Sequence, residues 1–151
     1  KKEQLALVYL KVIKSLRNAF KGLKSKIWIQ NPQLQMLGAD YLIDGRVVID
    51  LKGCIGSDYT KGPPIEYKQN GEKSYLNKVT DYYLFVLVSK EKRLIECYLL
   101  DYDKVVKYNE NTDYPKMFKY SFNGTGLYWQ PDSDLLNEWK NNKNIYYSFT
   151  Y

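Results

Sequence analysis

The sequence predicts an α/β (α+β) protein with a central mixed β-sheet flanked by helices. Three observations predict it. An N-terminal window carries apolar residues at helical spacing, and short strand-like runs joined by turn signals follow it. One later run, residues 84–89, is apolar without alternation, as in a strand buried on both faces. The element order through residue 100 reads α-β-β-β-α-β-β, which implies a mixed sheet with helices packed on it. The chain has 151 residues, 44% of them apolar and 26% charged. That is one domain's worth of sequence with a single core. The expected division is a single domain over 1–151, with a core of roughly 1–100 and a C-terminal extension over 101–151.

The first helix rests on Leu5, Val8, Tyr9, Val12, Ile13, Leu16, Ala19, Phe20 and Leu23, which cover one arc at 3.6-residue spacing. Lys11, Lys14, Arg17, Lys21 and Lys24 fall on the opposite arc, and the helix is expected to end near Gly22. Residues 26–30 alternate as a strand until Asn31-Pro32 breaks the pattern. Strands over 39–43 and 46–51 flank Asp44-Gly45, a hairpin signal. Residues 53–72, with several glycines and Pro63-Pro64, read as a long loop. A second helix is expected over 72–82, followed by the apolar strand 84–89, a turn at 90–92 and a returning strand over 93–100. A short helical turn at 101–108, a strand near 117–122, a turn at Gly124 and Gly126, a helix over 133–140 and a last strand over 145–150 complete the reading.

Composition excludes several chemistries. The chain contains no histidine, which removes Ser-His-Asp and Cys-His catalysis, His-ligated zinc and histidine phosphoryl relays. Cys54 and Cys97 are too few for a disulfide framework or a zinc site and read as small buried hydrophobes. No run approaches the ~20 apolar residues of a membrane span. Lys11, Lys14 and Arg17 interrupt what would otherwise suit a secretory signal, so a cytoplasmic location is expected (host cytoplasm if virus-encoded). The net charge of +6 is unevenly spread. Residues 1–26 hold seven lysines and Arg17 against Glu3 alone. A localised basic segment points to a polyanion, either nucleic acid or an anionic membrane surface.

The chemistry concentrates in residues 38–53, Gly-Ala-Asp-Tyr-Leu-Ile-Asp-Gly-Arg-Val-Val-Ile-Asp-Leu-Lys-Gly. Asp50 and Lys52 are two apart on a strand and share a face. Asp40 and Asp50 could hold Mg²⁺, which prefers carboxylate and water oxygens, and Lys52 could stabilise charge developing on a phosphate. The pairing register decides whether this works. A two-residue turn pairs Ile43 with Arg46 and sends the two aspartates to opposite faces. A three-residue loop, Ile43-Asp44-Gly45 with Gly45 left-handed, or a bulge, brings them to one face.

These residues resemble the PD-(D/E)XK nuclease superfamily, with Asp40 as the first acid, Asp50-Leu51-Lys52 as the (D/E)xK element and Gly53 after the lysine. Ala39 stands where the family usually has proline. The resemblance covers roughly residues 1–100 and implies an αβββαβ core like that of the RecB-like and resolvase-like members. It implies metal ligation by Asp40 and Asp50, a catalytic role for Lys52, and Mg²⁺ as cofactor with Mn²⁺ as a substitute. Some members add a glutamate from the first helix, for which Glu3 is the candidate. Polar residues of the second helix, Asn77, Lys78 and Asp81, would face the site, with Lys78 touching a phosphate. Glu66 and Asp58 are further candidates in the loop after Lys52. Lys11, Lys14, Arg17, Lys21 and Lys24 would bind DNA, and Tyr59, Tyr67, Tyr128 and Trp129 could stack on unpaired bases. The expected activity is Mg²⁺-dependent hydrolysis of DNA, structure-selective or nonspecific, with DNA as partner, no membrane association, and homodimerisation left open. The alternatives are a non-catalytic nucleic-acid-binding protein on the same fold and a membrane-surface protein using the first helix.

Overall fold

A parallel strand pair set inside an otherwise antiparallel sheet dictates the path of this chain. The computed structural model describes residues 26–43, 45–55, 61–76, 78–111, 119–120 and 126–150. Among them, β1 (Lys26–Trp28), β2 (Tyr41–Ile43), β3 (Val47–Ile55), β5 (Tyr82–Ser89), β6 (Leu94–Asp101) and β9 (Tyr146–Thr150) form a six-stranded sheet in the order β1-β2-β3-β5-β6-β9. β3 and β5 run parallel, and every other neighbouring pair is antiparallel. A three-stranded antiparallel sheet holds β4 (Ile65–Gln69), β8 (Gly126–Trp129) and β7 (Lys119–Tyr120), in the order β4-β8-β7. The helices are α1 (Pro32–Met36), α2 (Tyr102–Glu110) and α3 (Ser133–Lys140). The mixed sheet and the coarse fold class agree with the sequence reading. No described helix is long and apolar enough to cross a membrane.

Local sequence sets the element ends. Asn31, Asp101 and Asp132 each cap a helix by accepting a backbone N–H with the side chain, and Pro32 takes the first turn of α1, where its missing N–H costs nothing. β5 is buried along its whole interior, as its unbroken apolar run requires. Its alternate residues enter two different cores. Leu84, Val86 and Val88 join Tyr41, Ile43, Ile49, Ile95 and Cys97 on one face. Tyr83, Phe85 and Leu87 join Tyr98, Leu100, Trp129 and Trp139 on the other, which α2, α3 and the small sheet cover. Cys97 behaves as the expected small hydrophobe, 3% exposed.

Two expectations need correction. Residues 72–82 do not form a helix among the described positions. Asn70 and Gly71 adopt left-handed φ of 53° and 81°, turning the chain so that Gln69 and Glu72 bridge. Beyond that turn, the N–H of Val79 donates to Leu37 O and that of Asp81 to Val48 O. Tertiary pairing thus outcompetes the 3.6-residue pattern of the tyrosines. The loop expected over 53–72 contains β4, paired with β8. The strand does break at Asn31-Pro32, where α1 begins. The first helix, and with it Glu3, Lys11, Lys14, Arg17, Lys21 and Lys24, lies outside the described residues, as do Asp58, Tyr59 and Asn77.

Asn109 ties the layers together. It is 3% exposed, its Oδ1 accepts from the Trp129 indole at 2.6 Å, and its Nδ2 donates to Glu66 O at 3.2 Å. Asn109→Ala removes both hydrogen bonds from a buried position, so unfolding in urea should show a loss of about 2–3 kcal/mol. An unchanged midpoint would mean that packing alone seats Trp129.

Candidate metal and catalytic site

The β2–β3 hairpin brings the acids together. Ile43 pairs with Val47, leaving three residues between the strands. Gly45 sits at φ +68°, and the Arg46 N–H donates to Ile43 O at 3.0 Å. The loop is therefore odd in length, as the shared face demands, but it spans 44–46, one residue later than expected. Tyr41 pairs with Ile49 and shares one core with it, so by strand alternation Asp40, just before that pair, and Asp50, just after it, fall on the other face, where the two carboxyls interact. Lys52 follows on the same face, beside Phe85 of β5, as Asp50 lies beside Tyr83. That face is the one covered by α2, α3 and the small sheet.

Asp50 is 3% exposed. Its Oδ1 lies 3.5 Å from Lys52 Nζ, while Oδ2 is buried with no hydrogen-bond partner. Gly38, at φ +88°, makes room for this oxygen, since a Cβ there would stand 2.9 Å from it. Asp40 is held from the other side, its Oδ2 accepting from the Leu51 N–H at 2.7 Å. Burial raises the Asp50 pKa to about 7. Lys52 opposes that rise, the charge of Asp40 adds to it, Lys78 opposes it, and sharing of the bound proton with the Asp40 carboxyl in the protonated form adds to it again. Burial works against a charged Lys52, yet the fields of Asp50, Glu66 and Asp40 outweigh it and raise its pKa above the usual lysine value.

An unpartnered buried carboxylate oxygen beside a second carboxylate is what a divalent cation would satisfy. The donor set suits Mg²⁺, which commonly takes one or two carboxylates and keeps several waters. Among the described residues no group of three or more acidic, cysteine or histidine side chains is found, so Asp40 and Asp50 would hold the ion with water completing its shell.

The other candidates are distributed unevenly. Lys78 does reach the site, although not from a helix. Its Nζ donates to Met36 O at 3.1 Å, and its charge acts on Asp50. Glu66, on β4, lines a cleft of about 360 Å³ with Lys52, Pro64, Tyr83, Phe85 and Tyr128. Asp81 plays a backbone role, accepting from the Val48 N–H at 2.8 Å. Tyr67 stacks on Tyr75 with ring centroids 5.8 Å apart. Trp129 is 1% exposed and bonded to Asn109, so it has no face to offer a base. Sequence reasoning assigned no role to Gly38 or Tyr83. The glycine before Ala39-Asp40 was visible, but its left-handed φ and its approach to Asp50 depend on tertiary contact. Compared with known proteins, the sequence matches no family model and no curated protein.

Two outcomes follow for the metal-free protein. Asp50 has a folded pKa of about 7 against an ordinary 3.8, so the folded state holds this proton more tightly than the unfolded chain does. Stability from this group is intact below about pH 4 and falls as the pH rises toward 7, by on the order of a few kcal/mol. In EDTA at pH 8, Asp50→Asn should therefore melt above wild type, with the gap closing near pH 4. Mg²⁺ at pH 8 should raise the wild-type midpoint and leave that of the variant unchanged. A variant less stable at pH 8 would show that the ion pair with Lys52 outweighs burial. Gly38→Ala, which also forces a left-handed φ worth about 1–2 kcal/mol, should abolish the Mg²⁺-dependent rise, read by the same melting curves.

Proposed function

We propose that the chain is a metal-dependent nuclease that hydrolyses phosphodiester bonds in DNA. One observation carries the reading: Asp40 and Asp50 share one sheet face with their carboxyls close enough to interact, with Lys52 beside them and an Asp50 oxygen that receives no hydrogen bond. A divalent ion bound there would neutralise phosphate charge and make a water more acidic. Asp40 and Asp50 supply the negative ligands, and the Leu51 N–H holds the Asp40 carboxylate in place. Lys52 is kept cationic by Asp50 and its neighbours, so it can donate to a phosphate oxygen as charge develops there. Lys78 adds positive charge at the rim.

The β-β-β-x-β order of the sheet, with β3 and β5 parallel, accommodates the proposed family core if β4 and residues 78–81 replace its second helix. The basic segment over 1–26 is the natural source of additional phosphate contacts. Replacing Lys11, Lys14 and Arg17 with Gln should flatten the slope of log K for DNA against log[salt]. An unchanged slope would place the DNA grip elsewhere.

Lys52→Ala should slow cleavage by about 10²–10³, by analogy with loss of one transition-state donor, while DNA affinity measured in Ca²⁺ stays close to wild type. Plasmid nicking in Mg²⁺ and in EDTA, run beside a binding titration, checks both statements. Wild-type cleavage rates from Lys52→Ala would sink the mechanism and favour a non-catalytic DNA-binding protein.

A further inference from the structure

Two surfaces flank the acid pair, and neither is used by the chemistry proposed above. The first adjoins Lys52. The cleft of about 360 Å³ has Tyr83 and Phe85 on the main sheet, Glu66 and Tyr128 on the small sheet, and Pro64 just before β4. Glu66 and Tyr128 are register partners across β4 and β8. The volume is near the lower end for ligand pockets, about 300–1,000 Å³, which gives room for a flat heterocycle. Aromatic and apolar walls match the faces of a nucleobase, and the Glu66 carboxylate can accept from an exocyclic amine or ring N–H at its edge.

The second surface adjoins Asp50 through Gly38. Among the described residues, the exposed large apolar side chains are Met36 at 78%, Val79 at 48%, Leu34 at 42%, and Leu37 and Leu76 at 39% each. All five fall on α1 with its following turn and on residues 76–79. The two segments are joined by the Val79 N–H to Leu37 O bond at 2.8 Å and by Lys78 Nζ to Met36 O at 3.1 Å. A single apolar corner carrying a lysine, set beside a phosphate-cleaving site, complements a ligand that is anionic outside and aromatic inside. Apolar side chains of this kind enter opened base steps in DNA.

Resting on the nuclease reading, we infer that the substrate is DNA whose base next to the cut is unpaired: that base occupies the cleft beside Lys52, and the corner around Met36 covers the opened stack. A closed duplex cannot fill the cleft without breaking a pair, which costs a few kcal/mol and selects for flaps, bubbles and single strands.

The test uses the full chain with four DNAs of one sequence: a closed duplex, the same duplex with a bubble, a duplex with a single-stranded flap, and the single strand. Initial cleavage rates in Mg²⁺ should favour the three open substrates over the closed duplex by about tenfold or more, the scale of one base–aromatic stack. Tyr128→Ala and Met36→Ser should each reduce that ratio severalfold, and Tyr128→Phe, which retains the ring, should preserve it. Met36 is 78% exposed, so its variant keeps the test open if Tyr128→Ala fails to fold. Equal rates on all four DNAs overturn the inference and leave the nuclease standing. A preference unchanged in both Tyr128→Ala and Met36→Ser overturns the assignment of these two surfaces. Cleavage of none of the four overturns the proposed function itself.

Discussion

The constraint on which the site depends is a carboxylate buried beside another carboxylate. Asp50 is 3% exposed, and a charge so placed is costly unless something compensates it. Lys52 compensates one oxygen at 3.5 Å, and the other has no partner. Surrounding features make sense as responses to this. Gly38, which has no Cβ, leaves room for that oxygen, the Leu51 N–H fixes Asp40, and Lys78 lends its field from the rim. A fold optimised only for stability would put an apolar residue at position 50, next to Tyr83. Keeping an acid there costs stability, as polar groups retained at functional sites commonly do.

The parallel pairing of β3 with β5 is the second determinant. A parallel connection must cross from one end of the sheet to the other, and a helix is the usual means. Here residues 56–81 make the crossing, and their described part includes β4 and an extended segment in place of a helix. Asp81 and Thr80 secure the end of that segment. Asp81 accepts from the Val48 N–H, while the Thr80 hydroxyl donates to Val48 O at 3.2 Å or Tyr82 O at 2.9 Å. The exchange has a consequence for the site. A helix would present one regular face to the acid pair, whereas the extended segment positions Lys78 and Val79 against the α1 turn and leaves room on the other side for the cleft under β4.

Legibility from sequence tracked how local each determinant was. Asp50-x-Lys52 is a strand pattern with a period of 2, and its shared face could be read directly. The Asp40–Asp50 relation reduced to a parity question about one loop, which fixed the condition but not which residues make it, and the loop fell one position later. α3 was legible because its cap and apolar positions agree, with Asp132 at the N-terminus and Leu135 and Trp139 buried. The helix expected over 72–82 failed because Tyr75 and Tyr82 are placed by distant partners. The Tyr102 hydroxyl donates to Tyr75 O, and Tyr82 is the first residue of β5. β4 was hidden for a related reason: Pro63-Pro64 and Gly71 bracket only five strand residues, whose partner β8 lies some sixty positions later.

Lys52 and Lys78 illustrate why charge alone did not separate the two lysines. Both act on Asp50, yet their anchoring differs. Lys52 rises from the middle of a nine-residue strand that pairs with β5 along its C-terminal part, so its backbone is fixed by the sheet and its ammonium by Asp50. Lys78 comes from an irregular segment and is anchored to a carbonyl of the α1 turn. A group that must meet a developing charge at one point belongs on the rigid element, because reorganisation during the reaction erodes its contribution. A group that meets a flexible phosphate backbone at the rim tolerates a looser mount. On the proposed reading, position on the sheet suits Lys52 to the chemistry and Lys78 to the approach of the substrate, a distinction that the spacing of the lysines along the chain does not contain.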